Sequence, residues 1–429
     1  MVPYKNLSNP ELESLKFKLQ QEYEWIKASG LSLDMSRGKP SKAQLDLSDG
    51  LLHSLKSNAD CIDENHLDCR NYGEMEGTPE ARRLMAAMMG VNPDHVIVLG
   101  NASLNIMFDN ISRAFTHGIC GNAPWGLNSK IRFLCPVPGY DRHFAMTEYF
   151  GIEMINIPMH ETGPDMDMVE EYVNNDSTIK GMWCVPKYSN PQGITYSRET
   201  VDRIASLKPA APDFRLFWDN AYVIHSLYEP DERDFLPEIF AECAKYGNED
   251  MVYEFCSTSK VSYAGAGISA IAASPRNLAD IKNHMKYQTI SHDKINQLRH
   301  VKFFKDFEGM KEHMKKHARI LRPKFQLVDE VLTRELGGLE IGSWINPRGG
   351  YFISFEANEG CAKEIVRLAH EAGLVLTPAG SAFPYHDDPL DTNIRIAPSL
   401  PELDELDRAL EVFTTCVKLV SVDKILSER

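Results

Sequence analysis

The sequence predicts an α/β protein with a mostly parallel central sheet in a large domain and a smaller α+β domain after it. Short runs that are apolar on both faces recur at Val96 to Leu99, Ile131 to Cys135, Met182 to Val185, Phe214 to Trp218 and Met251 to Cys256, the pattern of strands covered on both sides. These runs lead into turns rich in glycine, proline, asparagine and serine, so polar groups collect at strand ends. The length of 429 residues exceeds one ordinary core and suits two domains. We expect residues 1–45 to form an N-terminal helix and entrance loop packing with the small domain, 46–305 the large domain and 306–429 the small C-terminal domain.

Composition excludes several classes of function. A formal net charge of -15 opposes nucleic-acid binding, which needs a surplus of Lys and Arg to neutralise phosphates. The nine cysteines contain no C-x-x-C pair, so neither a zinc site nor a disulfide framework is indicated, and reduced, cytoplasmic thiols are expected. No run approaches the ~20 apolar residues of a membrane span. No internal repeat or low-complexity segment is present.

In chain order, residues 9–29 open with Asn-Pro-Glu and place Leu12, Leu15, Leu19, Tyr23 and Ile26 at helical spacing. Leu33 to Pro40 is a glycine-proline loop containing Arg37 and Gly38. Asn71 to Glu80 is a second polar loop, carrying Tyr72, that ends in the Thr-Pro-Glu start of a helix. After Val96 to Leu99, Gly100 to Ser103 is a strand-turn-helix junction, which aims backbone N–H groups and a helix dipole at an anion. Pro136 to Tyr140 holds an aromatic ring on a backbone restricted by two prolines. Asn190-Pro191-Gln192-Gly193 and Asp219-Asn220-Ala221-Tyr222 each follow an apolar run. A carboxylate at the end of a buried strand, such as Asp219, is costly unless a cation meets it.

Met251 to Gly267 organises the rest. Its first half reads as a buried strand, and Lys260 sits where the strand yields to a flexible Ser/Gly/Ala turn, which delivers an amine to the mouth of a sheet. From His300 to about Leu336 the helical period is interrupted at Pro323, which suggests one long helix or a broken pair bridging the domains. Gly350 to Phe355, residues 361–372 and Asn393 to Pro398 read as strand, helix and strand of the small domain. By pattern alone, Arg395 is a solvated residue on an edge strand.

Together, SRGKPS, NYGEMEGTPEAR, GNASLN, PGYDRHF and STSKVSYAGAGIS resemble the three-layer, fold-type I aminotransferases that use pyridoxal 5'-phosphate, in particular the bacterial aspartate aminotransferases of subgroup Ic, related to MocR-like aminotransferases. The resemblance spans about Leu33 to Leu400. It implies a Schiff-base lysine at Lys260, a carboxylate at Asp219 facing the pyridine nitrogen, and Asn190 and Tyr222 sharing the phenolic oxygen. It implies Tyr140 against the ring face, and Ala102, Ser103, Ser257 and Ser259 around the phosphate. Tyr72 would reach the other subunit's site in a homodimer, with Gly38, Asn190 and Arg395 on the substrate. The chain departs from most relatives in lacking an arginine shortly after Lys260, which leaves the phosphate's counter-charge unassigned. Aspartate and 2-oxoglutarate are the implied substrates. A cation for their side-chain carboxylate is open among Lys39, Lys294, Arg299 and Arg348, with Arg37 read as structural. Other readings stay open at this point: an aminotransferase or β-lyase for another amino acid, or a non-catalytic MocR-type sensor.

Overall fold

The computed structural model describes residues 2–429. Its eight-stranded sheet runs, edge to edge, Val96–Val98, Ser269–Ala273, Val252–Ser257, Arg215–Asp219, Ile179–Cys184, Arg132–Val137, Glu153–His160 and Gly163–Pro164. Ser269–Ala273 and Gly163–Pro164 are antiparallel to their neighbours. The other six strands share one direction, so their C-terminal ends lie along one edge of the sheet.

Strand residues alternate between two apolar layers, as the two-residue period of a pleated sheet requires. Leu134, Met182, Leu216, Trp218, Cys256 and Ala270 pack on one face with Leu84, Met85, Val169, Val201 and Ile204. Phe133, Trp183, Phe217, Phe255 and Ile271 pack on the other with Ile106, Met107, Ile111, Phe144 and Ile281. Helices therefore cover both faces, which gives the three layers.

A third core lies around a three-stranded antiparallel sheet ordered Gly342–Trp344, Ile353–Ala357, Asn393–Ile396. The N-terminal segment joins this core. Leu12, Leu19, Tyr23 and Ile26 are its buried stripe, and Leu33–Asp34 pairs in parallel with Leu374–Val375. Ser8 and Glu11 are the capping-box pair of the first helix, the Ser8 amide donating to Glu11 Oε2 at 2.8 Å.

Of the two expectations for this stretch, one long helix or a pair broken at Pro323, the helix runs unbroken through Pro323 and the only break falls ahead of it. Lys294–Phe304 ends at Lys305, which has φ 68°, and a new helix, Phe307–Leu336, starts with Asp306 accepting from the Gly309 amide at 2.8 Å. This helix continues through Pro323. An internal proline costs roughly 3 kcal/mol, but this one faces solvent while Leu321, Phe325, Val328 and Leu332 hold the helix to the core. The same helix reaches the large-sheet core through Met310 and Met314.

Candidate active site

Because the parallel strands end on one edge, their following turns converge. Asp219 closes its strand beside Val252–Ser257, Asn190 follows Ile179–Cys184, and Tyr140 follows Arg132–Val137. Lys260, Asp219, Tyr222, Asn190 and Tyr140 line one cavity of about 650 Å³, together with Ala102, Ser103, Ser257, Ser259, Gly38 and Arg395. Tyr72 does not line it and stands 73% exposed on its loop.

Lys260 is held by a turn much less free than its composition suggested. Thr258 Oγ1 accepts from the Ile268 amide at 3.0 Å, and the Val261 and Ser262 amides donate to the Thr258 carbonyl. His300 Nε2 lies 2.8 Å from Ser262 Oγ and 3.2 Å from Thr258 Oγ1. Asn101 ties the glycine loop to the turn before the helix Ser103–His117, accepting from the Gly267 amide at 2.7 Å. The Lys260 Nζ lies 5.1 Å from the Tyr222 ring centre and 5.9 Å from that of Tyr351. Burial lowers the pKa of this amine and Asp219 partly restores it, so its neutral form is more accessible than that of an exposed lysine.

Asp219 is buried, and its Oδ2 accepts from His143 Nε2 at 3.0 Å while Oδ1 has no partner. His143 is in turn stacked on Trp183, with 4.2 Å between ring centres and 7° between planes. Trp183 Nε1 donates to Thr147 Oγ1 at 2.8 Å. His143 and Thr147 escape sequence reasoning because they act on Asp219 only through the fold. The one local signal is PGYDRHF, where His143 follows Tyr140 by three positions.

At the other end of the cavity, Arg395 is only 9% exposed, contrary to its pattern reading as a solvated edge residue. Asn393, Ile394 and Ile396 are buried as well, so the strand is covered on both faces and alternation carries no information about solvent. Arg395 Nη1 donates to Asp141 Oδ1 at 3.0 Å and to Asn190 Oδ1 at 3.4 Å, and Nη2 donates to Thr377 Oγ1 at 3.3 Å.

The four candidates for a cation on a substrate side-chain carboxylate, Lys39, Lys294, Arg299 and Arg348, lie away from the cavity within this chain. Lys294 Nζ instead donates to the Asn71 and Gly73 carbonyls, both at 2.9 Å, and so braces the Tyr72 loop. Arg348 pairs with Asp231 and Asp234 at 3.2 and 3.1 Å. Arg37, read from sequence as structural, does line the cavity, as does Arg142.

The family model for aspartate amino-transferase matches residues 7–429. The chain belongs to this family. It is 42% identical over 406 residues to an aspartate aminotransferase of Corynebacterium glutamicum, covering 94% of this chain and 93% of that one. The crystal structure of an aspartate transaminase from the same organism superposes with a TM-score of 0.95 at 40% identity over 99% of both chains. The α-aminoadipate aminotransferase LysN of Thermus thermophilus, solved with N-(5'-phosphopyridoxyl)-L-leucine, shares the fold at 20% identity, with a TM-score of 0.72 over 93% of this chain and 94% of that one.

The residues fit the family's cofactor, pyridoxal 5'-phosphate. The buried, unpartnered Asp219 Oδ1 suits a pyridinium N–H, which would neutralise it. The helix Ser103–His117 begins without a side-chain cap, which leaves first-turn amides for a phosphate. Ser257 Oγ and Ser259 Oγ, 3.0 Å apart, add hydroxyls on the same cavity.

Proposed function

We propose that the chain is a homodimeric, cytoplasmic aminotransferase that moves the amino group of aspartate to 2-oxoglutarate with pyridoxal 5'-phosphate. One observation carries the chemistry: the lowered-pKa amine of Lys260 and the buried Asp219 carboxylate face one cavity. Nine unpaired cysteines suit a reducing compartment, and no described helix is long and apolar enough to cross a membrane. The exposure of Tyr72, on a loop braced by Lys294, supports a reading in which its ring serves the other subunit's site.

In this reading Lys260 would hold the cofactor through its ε-amine, with Ala102, Ser103, Ser257 and Ser259 around the phosphate and Tyr140 against the ring. Asp219, oriented by His143, would keep the ring nitrogen protonated, while Asn190 and Tyr222 take the phenolic oxygen. Once bound, the ring supplies a sink for the electron pair left when a substrate Cα loses its proton. Arg395 receives the α-carboxylate through its planar fork, with Asn190 and the Gly38 backbone beside it. With the substrate's amino group in its place on the cofactor, Lys260 would be a free amine able to take the proton from Cα.

A panel of amino donors with 2-oxoglutarate and holoenzyme tests the proposal. Aspartate should exceed alanine and phenylalanine in kcat/KM by at least about tenfold, the scale on which a missing charged contact is felt. Equal rates, or elimination without amino transfer, would reject it.

A further inference from the structure

Arg395 already carries a carboxylate partner from its own chain. Asp141 is the first residue of the helix Asp141–Tyr149, directly after Tyr140, and its side chain lines the substrate end of the cavity at 27% exposure. Its Oδ1 lies 3.0 Å from Arg395 Nη1. The pair spans the cavity, with Asp141 beside the large sheet and Arg395 on the small one. Arg395 Nη2 reaches Thr377 Oγ1, the Phe352 ring lies 4.8 Å from the guanidinium carbon, and Nε is buried without a partner.

We infer that Asp141 is a resident competitor for the substrate α-carboxylate, occupying one arm of Arg395 until the substrate displaces it. The inference rests on the reading of Arg395 as the α-carboxylate site. Two physical points carry it. A guanidinium this buried is costly to leave unpaired, so an internal carboxylate stabilises the enzyme between turnovers. Two carboxylates sharing one guanidinium nitrogen repel each other, so the α-carboxylate and Asp141 cannot both be held at full strength.

Asp141 also has somewhere to go. It is partly exposed and sits in the first turn of a helix, where the dipole stabilises a negative charge without Arg395. Because every amino and oxo acid substrate brings an α-carboxylate, the competition weakens them all alike. Asp141 is thus a positioning residue that sets overall substrate affinity, while choice among side chains is made elsewhere. Such uniform weakening falls on KM.

The test uses holoenzyme and succinate, a carboxylate with no amino group to transfer, titrated by calorimetry. Asp141→Asn and Asp141→Ser should each bind succinate about tenfold more tightly than wild type, the scale of one charge-assisted hydrogen bond. Both variants should lower KM for aspartate and for 2-oxoglutarate by a common factor. Arg395→Gln should weaken succinate binding by about a hundredfold. If the Asp141 variants bind succinate equally or less tightly while Arg395→Gln loses it, Asp141 is only a structural strut and the inference is wrong. If Arg395→Gln binds succinate like wild type, the α-carboxylate assignment fails and the inference falls with it.

Discussion

Replacing Asp219 by asparagine removes one charge and almost no volume. The amide oxygen can still accept from His143, whose Nε2 lies 3.0 Å from Asp219 Oδ2, so the side chain stays oriented. What changes is the other terminus: an unpartnered carboxylate oxygen becomes an N–H2 group, and a donor then faces the donor on the ring nitrogen. The variant also removes the charge that offsets the effect of burial on Lys260, leaving that amine less basic. Losing one preorganised electrostatic partner in a water-poor site costs about 3–4 kcal/mol, or roughly a hundredfold to a thousandfold in rate. We therefore expect kcat/KM for aspartate to fall by that factor in steady-state kinetics, with thermal unfolding little changed. A loss below about threefold in a folded, cofactor-loaded variant would refute the role given to Asp219.

Two further outcomes follow at Glu254 and Gly38. Glu254 accepts from Asn220 Nδ2 at 2.9 Å through Oε1, its Oε2 is unpartnered, and burial pushes its carboxyl up to about 8. Its folded pKa lies above its unfolded one, so the folded state binds the extra proton between about pH 4.5 and 8 and stability falls as pH rises through that window. Glu254→Gln keeps the Asn220 contact and should gain on the order of a few kcal/mol over wild type in denaturant melts at pH 8.5, with almost none of that gain at pH 4.5; a pH-independent difference would contradict this. At Gly38, an added Cβ would lie 2.4 Å from Phe352 Cζ, and Phe352 underlies the Arg395 guanidinium. Gly38→Ala should therefore cost about 1–3 kcal/mol in stability and raise KM for both substrates; an unchanged KM would show that this contact does not reach Arg395.

The strand-end residues were the legible part of this site. Lys260, Asp219, Asn190 and Tyr140 each follow an apolar run by a few positions, and a parallel sheet brings such positions to one edge whatever its loops do. Groups whose role depends on a distant partner were not legible. Asp141 and Arg395 are 254 positions apart, and nothing local in either marks the pairing. Arg395 was misjudged in the same way, since alternation predicts exposure only when one face of a strand is open to water. Lys294 looked like a free cation because its two partners are backbone carbonyls in a loop 221 to 223 residues away. The helix break was readable from Asp306 as a cap, but Pro323 is the louder signal, and it is tolerated because the residues around it are buried.

The central claim is that the amine of Lys260 carries the cofactor. Borohydride reduction of the cofactor-loaded protein, followed by digestion and peptide mass mapping, tests it most directly. The account predicts a single phosphopyridoxyl addition, on Lys260, and none in Lys260→Ala. An addition on another lysine, or none in the wild-type protein, would contradict it.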